Sequence, residues 1–130
     1  MKKFTTMVAV FVASIAAVLA SSAAPARAYT DYYGAIALSR STGTYGYSYD
    51  YDSFSQAEDA AVSQCLRAGG GSDCEAKISW ANGCGAIALS RDYWSYGSAA
   101  TLAGAKRDAL SSNPEPASIE HWNCTSGYSL

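Results

Sequence analysis

Apolar positions along the chain follow three spacings, each predicting a different kind of element. Met7 to Ala20 is a predominantly apolar run, preceded by Lys2 and Lys3 and followed by the small-x-small site Ala26-Arg27-Ala28. A spanning helix needs about 20 apolar residues, and this run is shorter, so residues 1–28 read as a secretory signal peptide. Tyr33 to Ser39 is short, apolar and bounded by turn residues, which predicts a buried strand. Thr44 to Asp52 alternates strictly and predicts a second, antiparallel strand after the turn Arg40-Ser41-Thr42-Gly43. Ala57, Ala60, Ala61, Val62, Cys65 and Leu66 then recur at helical spacing. Ser53 with Gln56, or Ser55 with Glu58, caps the start of that helix, and Gly69-Gly70-Gly71 stops it. Cys74 to Ala81 returns as a strand.

The series then begins again. Gly34-Ala35-Ile36-Ala37-Leu38-Ser39-Arg40 recurs unchanged as Gly85-Ala86-Ile87-Ala88-Leu89-Ser90-Arg91, at an offset of 51. Tyr45-Gly46 maps onto Tyr96-Gly97 at the same offset, which sets Ser98 and Ala100 against Tyr47 and Tyr49. The helix maps at an offset of 48, with Thr101 as its cap and Asn113 in the place of Cys65. Strands are predicted near 85–91, 93–98 and 117–123, with a helix near 102–112 that Asn113-Pro114 ends. Self-similarity of this kind marks one supersecondary unit used twice. The predicted fold is α+β, two pseudo-repeated β-β-α-β units forming one small disulfide-stapled domain over residues 29–130. Repeat 1 covers about 33–83, repeat 2 about 84–124, and a short C-terminal tail follows.

Charge and cysteine content narrow the setting. The whole chain carries nine Lys and Arg against eleven Asp and Glu. Removal of Lys2, Lys3 and Arg27 with the signal leaves six against eleven, a net charge of −5. Lys106-Arg107 is the only basic pair, so no cationic patch for nucleic acid exists. No later segment is apolar enough for a membrane span. Cys65, Cys74, Cys84 and Cys124 all lie after the signal, an even count that points to disulfides in an exported protein. There is no C-x2-C pair for zinc, and neither a metal nor a cofactor is expected. Spacing alone leaves three connectivities open. Cys65 at a helix end faces Cys74 across a short glycine loop, while Cys84 opens the second unit and Cys124 closes it. That placement favours Cys65–Cys74 and Cys84–Cys124.

A family resemblance rests on these same residues. Tyr33-Gly34-Ala35-Ile36-Ala37, a helix ending in Gln64-Cys65, a short Gly/Asp loop to Cys74, then Cys84-Gly85-Ala86-Ile87-Ala88 and Trp122-Asn123-Cys124 resemble the bacterial secreted family known as domain of unknown function 4189. The resemblance covers nearly all of 33–124. It implies an exported actinobacterial or mycobacterial α+β domain and carries no catalytic residues.

Candidate chemistry is sparse. His121 is the one histidine, and its sequence neighbour Glu120 points to the other face of a strand. Asp50 and Asp52 lie two apart on one strand, with Asp31 and Asp59 as further carboxylates, but no nucleophile elbow accompanies them. A small extracellular hydrolase using Asp50 or Asp52 with His121 is the alternative reading. The tyrosines are the informative excess. Tyr45, Tyr47, Tyr49 and Tyr51 alternate along one strand and so form a ladder on one face. Such a ladder either packs under the first helix or offers a contact surface, since tyrosine combines large area with a hydroxyl and little rotamer entropy. The leading expectation is a secreted or envelope-associated, non-enzymatic binding domain. Its candidate contacts are Tyr47, Tyr49, Tyr51, Tyr93 and Trp94, and its partner is a protein or a cell-envelope glycan.

Overall fold

The computed structural model describes residues 30–128; the signal-like segment 1–28 lies outside the described residues. Eight elements follow in order: β1 (Tyr33–Ser39), β2 (Thr44–Tyr51), α1 (Phe54–Arg67), β3 (Glu75–Ala81), β4 (Cys84–Leu89), β5 (Trp94–Ala99), α2 (Leu102–Ser111) and β6 (Ser118–Cys124). They form two similar β-β-α-β units. Each is a three-stranded antiparallel sheet with its first strand in the middle, ordered β2-β1-β3 and β5-β4-β6. The helix caps are those the hydroxyls predict. Ser53 Oγ accepts from Gln56 N at 3.2 Å, and Thr101 Oγ1 accepts from Gly104 N at 3.1 Å.

The repeated heptapeptide has two faces because strand side chains alternate. Ala35 and Ala37 face α1 and pack on Ala57, Ala61 and Cys65; Ala86 and Ala88 meet Ala105 and Ala109 of α2 in the same way. The opposite faces bring Ile36 and Ile87 together with Trp80 in a layer between the two sheets, flanked by Tyr45, Ile78, Trp94 and Tyr96. The order of layers is thus helix, sheet, sheet, helix. Trp80 sets the two glycines of the repeat. A Cβ built on Gly34 would lie 2.4 Å from the Trp80 ring, and one on Gly85 would lie 2.2 Å from it. The indole is held between two bare backbones.

Strand register corrects the residue correspondence expected from the constant offset. Ile36 pairs with Tyr47 and Ile87 with Tyr96, while Leu38 pairs with Tyr45 and Leu89 with Trp94. Tyr47 therefore matches Tyr96, Tyr45 matches Trp94, and Tyr49 matches Ser98. The β4–β5 hairpin is two residues shorter: Ser90 N donates to Tyr93 O at 2.9 Å, closing a tight turn on Arg91 and Asp92. The third residue of difference is a bulge in β2. Tyr33 pairs with Tyr51 but Ala35 with Ser48, and the extra residue Asp50 adopts φ 61°.

On the helix-facing side of each second strand stand one glycine and one serine, in opposite order. Ser48 Oγ donates to Ala57 O at 2.5 Å, and Ser95 Oγ donates to Ala109 O at 2.7 Å. A Cβ on Gly46 would fall 2.3 Å from Ala61 O, and one on Gly97 would fall 2.3 Å from Ala109 N. Both disulfides pair as the placement of the cysteines favours, Cys65–Cys74 and Cys84–Cys124. Where α1 ends in a cystine, α2 is followed by Asn113, whose Nδ2 donates to Tyr93 O and Ser95 Oγ, each at 3.1 Å.

Gly85→Ala is expected to cost about 1–3 kcal/mol by overpacking the Trp80 ring. Urea unfolding with disulfides intact measures it. A cost that is unchanged when Trp80 is replaced by Leu would break the link between the two residues.

Candidate functional site

The ladder does not lie under α1. The helix takes the Gly46 and Ser48 side of β2, where no ring would fit. Tyr45, Tyr47 and Tyr49 point to the side that faces the second sheet. The Asp50 bulge then shifts the alternation by one, so Tyr51 stands opposite Tyr33 on the α1 side. Tyr33 in turn meets Phe54 edge-to-face, with ring centroids 4.6 Å apart. The expected single ladder is therefore two aromatic groups on opposite faces of the first sheet.

The inter-sheet group is centred on His121. β2 and β6 are edge strands, one from each sheet, and His121 on β6 reaches across to both Tyr45 and Tyr47, with ring centroids 4.8 and 4.7 Å away. Tyr45 is partly covered by the inter-sheet layer, whereas Tyr47 is 37 % and Tyr49 50 % exposed. His121 thus backs Tyr47 and limits its rotamers. Side chains engage two backbone groups of β2. Tyr47 N donates to Gln64 Oε1, and Ser48 O accepts from Asn123 Nδ2 at 3.4 Å.

The remaining candidates are dispersed. Tyr93, 49 % exposed, precedes β5 at the edge of the second sheet away from β6, and Trp94 is half-buried against Ile36, Trp80 and Ile87. The carboxylate of Asp50 accepts from Ser126 N at 2.8 Å and from Ser126 Oγ, tying the C-terminal segment to the bulge. His121 Nε2 is buried and has no hydrogen-bond partner among the described residues. The alternative Asp/His pair is accordingly not assembled. Lys106 lies 5.1 Å above the Trp122 ring, on the α2 face. Among the described residues no group of three or more His, Cys, Asp or Glu could hold a metal, and no helix is long and apolar enough to cross a membrane.

A second polar centre is structural. Asp73 Oδ1 accepts from Ser39 Oγ at 2.5 Å and from Ser41 Oγ at 2.8 Å, and Oδ2 accepts from Ser41 N at 2.9 Å. These bonds, led by that from Ser39, hold the carboxyl down at about 2. Ser39 Oγ also accepts from Gly71 N at 3.0 Å. The glycine loop before Cys74 is thereby pinned to the β1–β2 hairpin.

The chain belongs to the family described as domain of unknown function (DUF4189), which it matches over residues 33–124. Among solved structures, it is similar to the NMR structure of Rv1813c from Mycobacterium tuberculosis. The two are 28 % identical with a TM-score of 0.55, covering 72 % of this chain and 74 % of that one. No curated protein sequence matches the chain.

The two titrating centres predict separate pH windows. Burial pushes the His121 imidazole below its ordinary value of 6.5, so the unfolded chain binds its proton more readily than the folded one. Stability is full above pH 6.5 and declines as pH falls through that value toward the lower folded one. His121→Gln is expected to flatten that decline in urea midpoints measured from pH 7.5 to 5. Asp73 acts lower, its contribution being lost as pH falls from 3.8 to about 2; Asp73→Asn removes that slope and leaves the His121 window in place.

Proposed function

We propose that the chain is an exported, non-enzymatic binding domain whose contact surface is the outer part of the tyrosine face, Tyr47 and Tyr49. Export is supported by the signal-like residues 1–28 and by two disulfides, bonds that persist in oxidising compartments. The observation that carries the reading is the exposure of Tyr47 and Tyr49 on a strand whose other face is filled by α1. Folding gains little by leaving two tyrosines half in water. A binding partner gains much, because the Tyr47 ring is already backed by His121 and loses little freedom on contact.

The partner is a protein or a cell-envelope glycan. Tyr47 N is already bonded to Gln64 Oε1, which takes one donor of β2, and recognition rests on ring faces and hydroxyls. Nothing in the placement of Asp50 and His121 favours the hydrolase.

The Tyr47→Ser/Tyr49→Ala double variant tests this surface. It is expected to unfold within about 1 kcal/mol of the parent, since both rings are exposed. Co-sedimentation with purified cell walls, and binding to envelope proteins separated from them, should fall at least about tenfold in one assay, as loss of aromatic contacts worth 1.4 kcal/mol or more demands. A large loss of stability with no change in either assay overturns the proposal.

A further inference from the structure

The two units meet at a single peptide link, and each holds its own half of it. Asn82 belongs to the first unit. Its N–H donates to Tyr32 O at 2.8 Å, its Oδ1 accepts from Tyr32 N at 3.0 Å, and its Nδ2 donates to Asp31 at 2.7 Å. Gly83 belongs to the second. Its N–H donates to Thr125 Oγ1 at 2.9 Å, and its carbonyl accepts from Thr125 N at 2.9 Å. The disulfides divide the same way, Cys65–Cys74 in one unit and Cys84–Cys124 in the other, so no covalent bond besides the chain itself joins them.

What does join them is the layer around Trp80, and that layer is incompletely satisfied. Trp80 Nε1, Tyr96 Oη and His121 Nε2 are the buried side-chain polar atoms without a partner among the described residues, and each comes from a residue that faces the other sheet. Away from the link, the hydrogen bonds described between the units are Asn123 to Ser48 and Ser126 to Asp50, both at one edge. Asn82 itself stands at φ 49°, a left-handed conformation that the closed chain requires and an extended link would not.

We propose that two copies of this chain exchange units about the Asn82–Gly83 link. Residues 30–82 of one copy then pack on residues 83–128 of the other through the same Trp80 layer. The contacts of the closed chain away from the hinge are reproduced across the dimer, and Asn82 is released from the left-handed region so that β3 and β4 run on from one another. A short, conformationally demanding hinge between self-contained units is the condition under which such exchange is favoured.

The test is to refold the exported chain from guanidinium, both disulfides intact, at high and at low protein concentration. Size-exclusion chromatography with light scattering then measures the dimer fraction. The parent should yield a dimer only after concentrated refolding, and that dimer should persist on dilution. Asn82→Val, whose β-branched side chain resists positive φ, should raise the dimer fraction several-fold; Asn82→Gly, which accepts it freely, should lower it. Insertion of three Gly-Ser pairs after Asn82 lets each chain close on itself and should lower it too. Monomer under every condition for the parent and Asn82→Val overturns the proposal. So does a dimer that dissociates at once on dilution and ignores residue 82, since that describes an ordinary surface contact.

Discussion

The structure depends on one side chain filling the space between two backbones. Trp80 lies against Gly34 of β1 and Gly85 of β4, the first residues of the two identical heptapeptides, with room for no Cβ on either. Once the indole occupies that place, the sheets must stack face to face, and Ile36 and Ile87 complete the layer. The outer faces are left for the helices. There alanine meets alanine, so each helix sits close to its sheet, and the second strand can offer only glycine and serine at the closest points. A chain with few large aliphatic residues thereby builds three thin apolar layers where a larger domain would build one thick core. The two cystines close what so little apolar bulk leaves loose, and both sit at the ends of elements.

Much of this was legible in the sequence, because it rests on local patterns. The hydroxyl caps at Ser53 and Thr101, the glycine stop after α1, the alternation of β2 and the order β-β-α-β each follow from a few neighbouring residues. The disulfide pairing followed from placing cysteines on those elements. The faces of β2 were not legible. Strict alternation puts four tyrosines on one side, and nothing in the run Tyr49-Asp50-Tyr51 announces the bulge that moves Tyr51 to the other. Nor does alternation say which side a helix will choose. That was decided by fit, since Gly46 and Ser48 admit a helix backbone where rings do not. The mismatch between offsets of 51 and 48 did carry the information that three residues are missing from the second unit. Where they are missing required the pairing of strands.

The two units also show how one scaffold task is met by different chemistry. The end of α1 is bonded covalently to the strand that follows it, whereas the end of α2 is held to its hairpin by the amide of Asn113. In the first unit an ionised carboxyl, Asp73, gathers the hairpin and the glycine loop. In the second, Glu115 accepts from Asp92 N at 3.3 Å and Ser90 Oγ accepts from Tyr93 N at 3.2 Å within a tighter turn. The shorter second hairpin needs less to hold it. The longer first one carries the bulge and the additional tyrosines, and it is the more heavily braced.

The bracing and bending of β2 have a consequence for the protein's behaviour in crowded surroundings. A strand with tyrosine at every second position, lying at the margin of a sheet, is the kind of segment that recruits its own kind into fibres. Gln64 occupies a backbone donor that such growth would use, and the bulge at Asp50 interrupts the flat surface it would need. Bare aromatic rings thus stand in water on a strand whose margin is partly occupied and bent, two features that work against its serving as a template for aggregation.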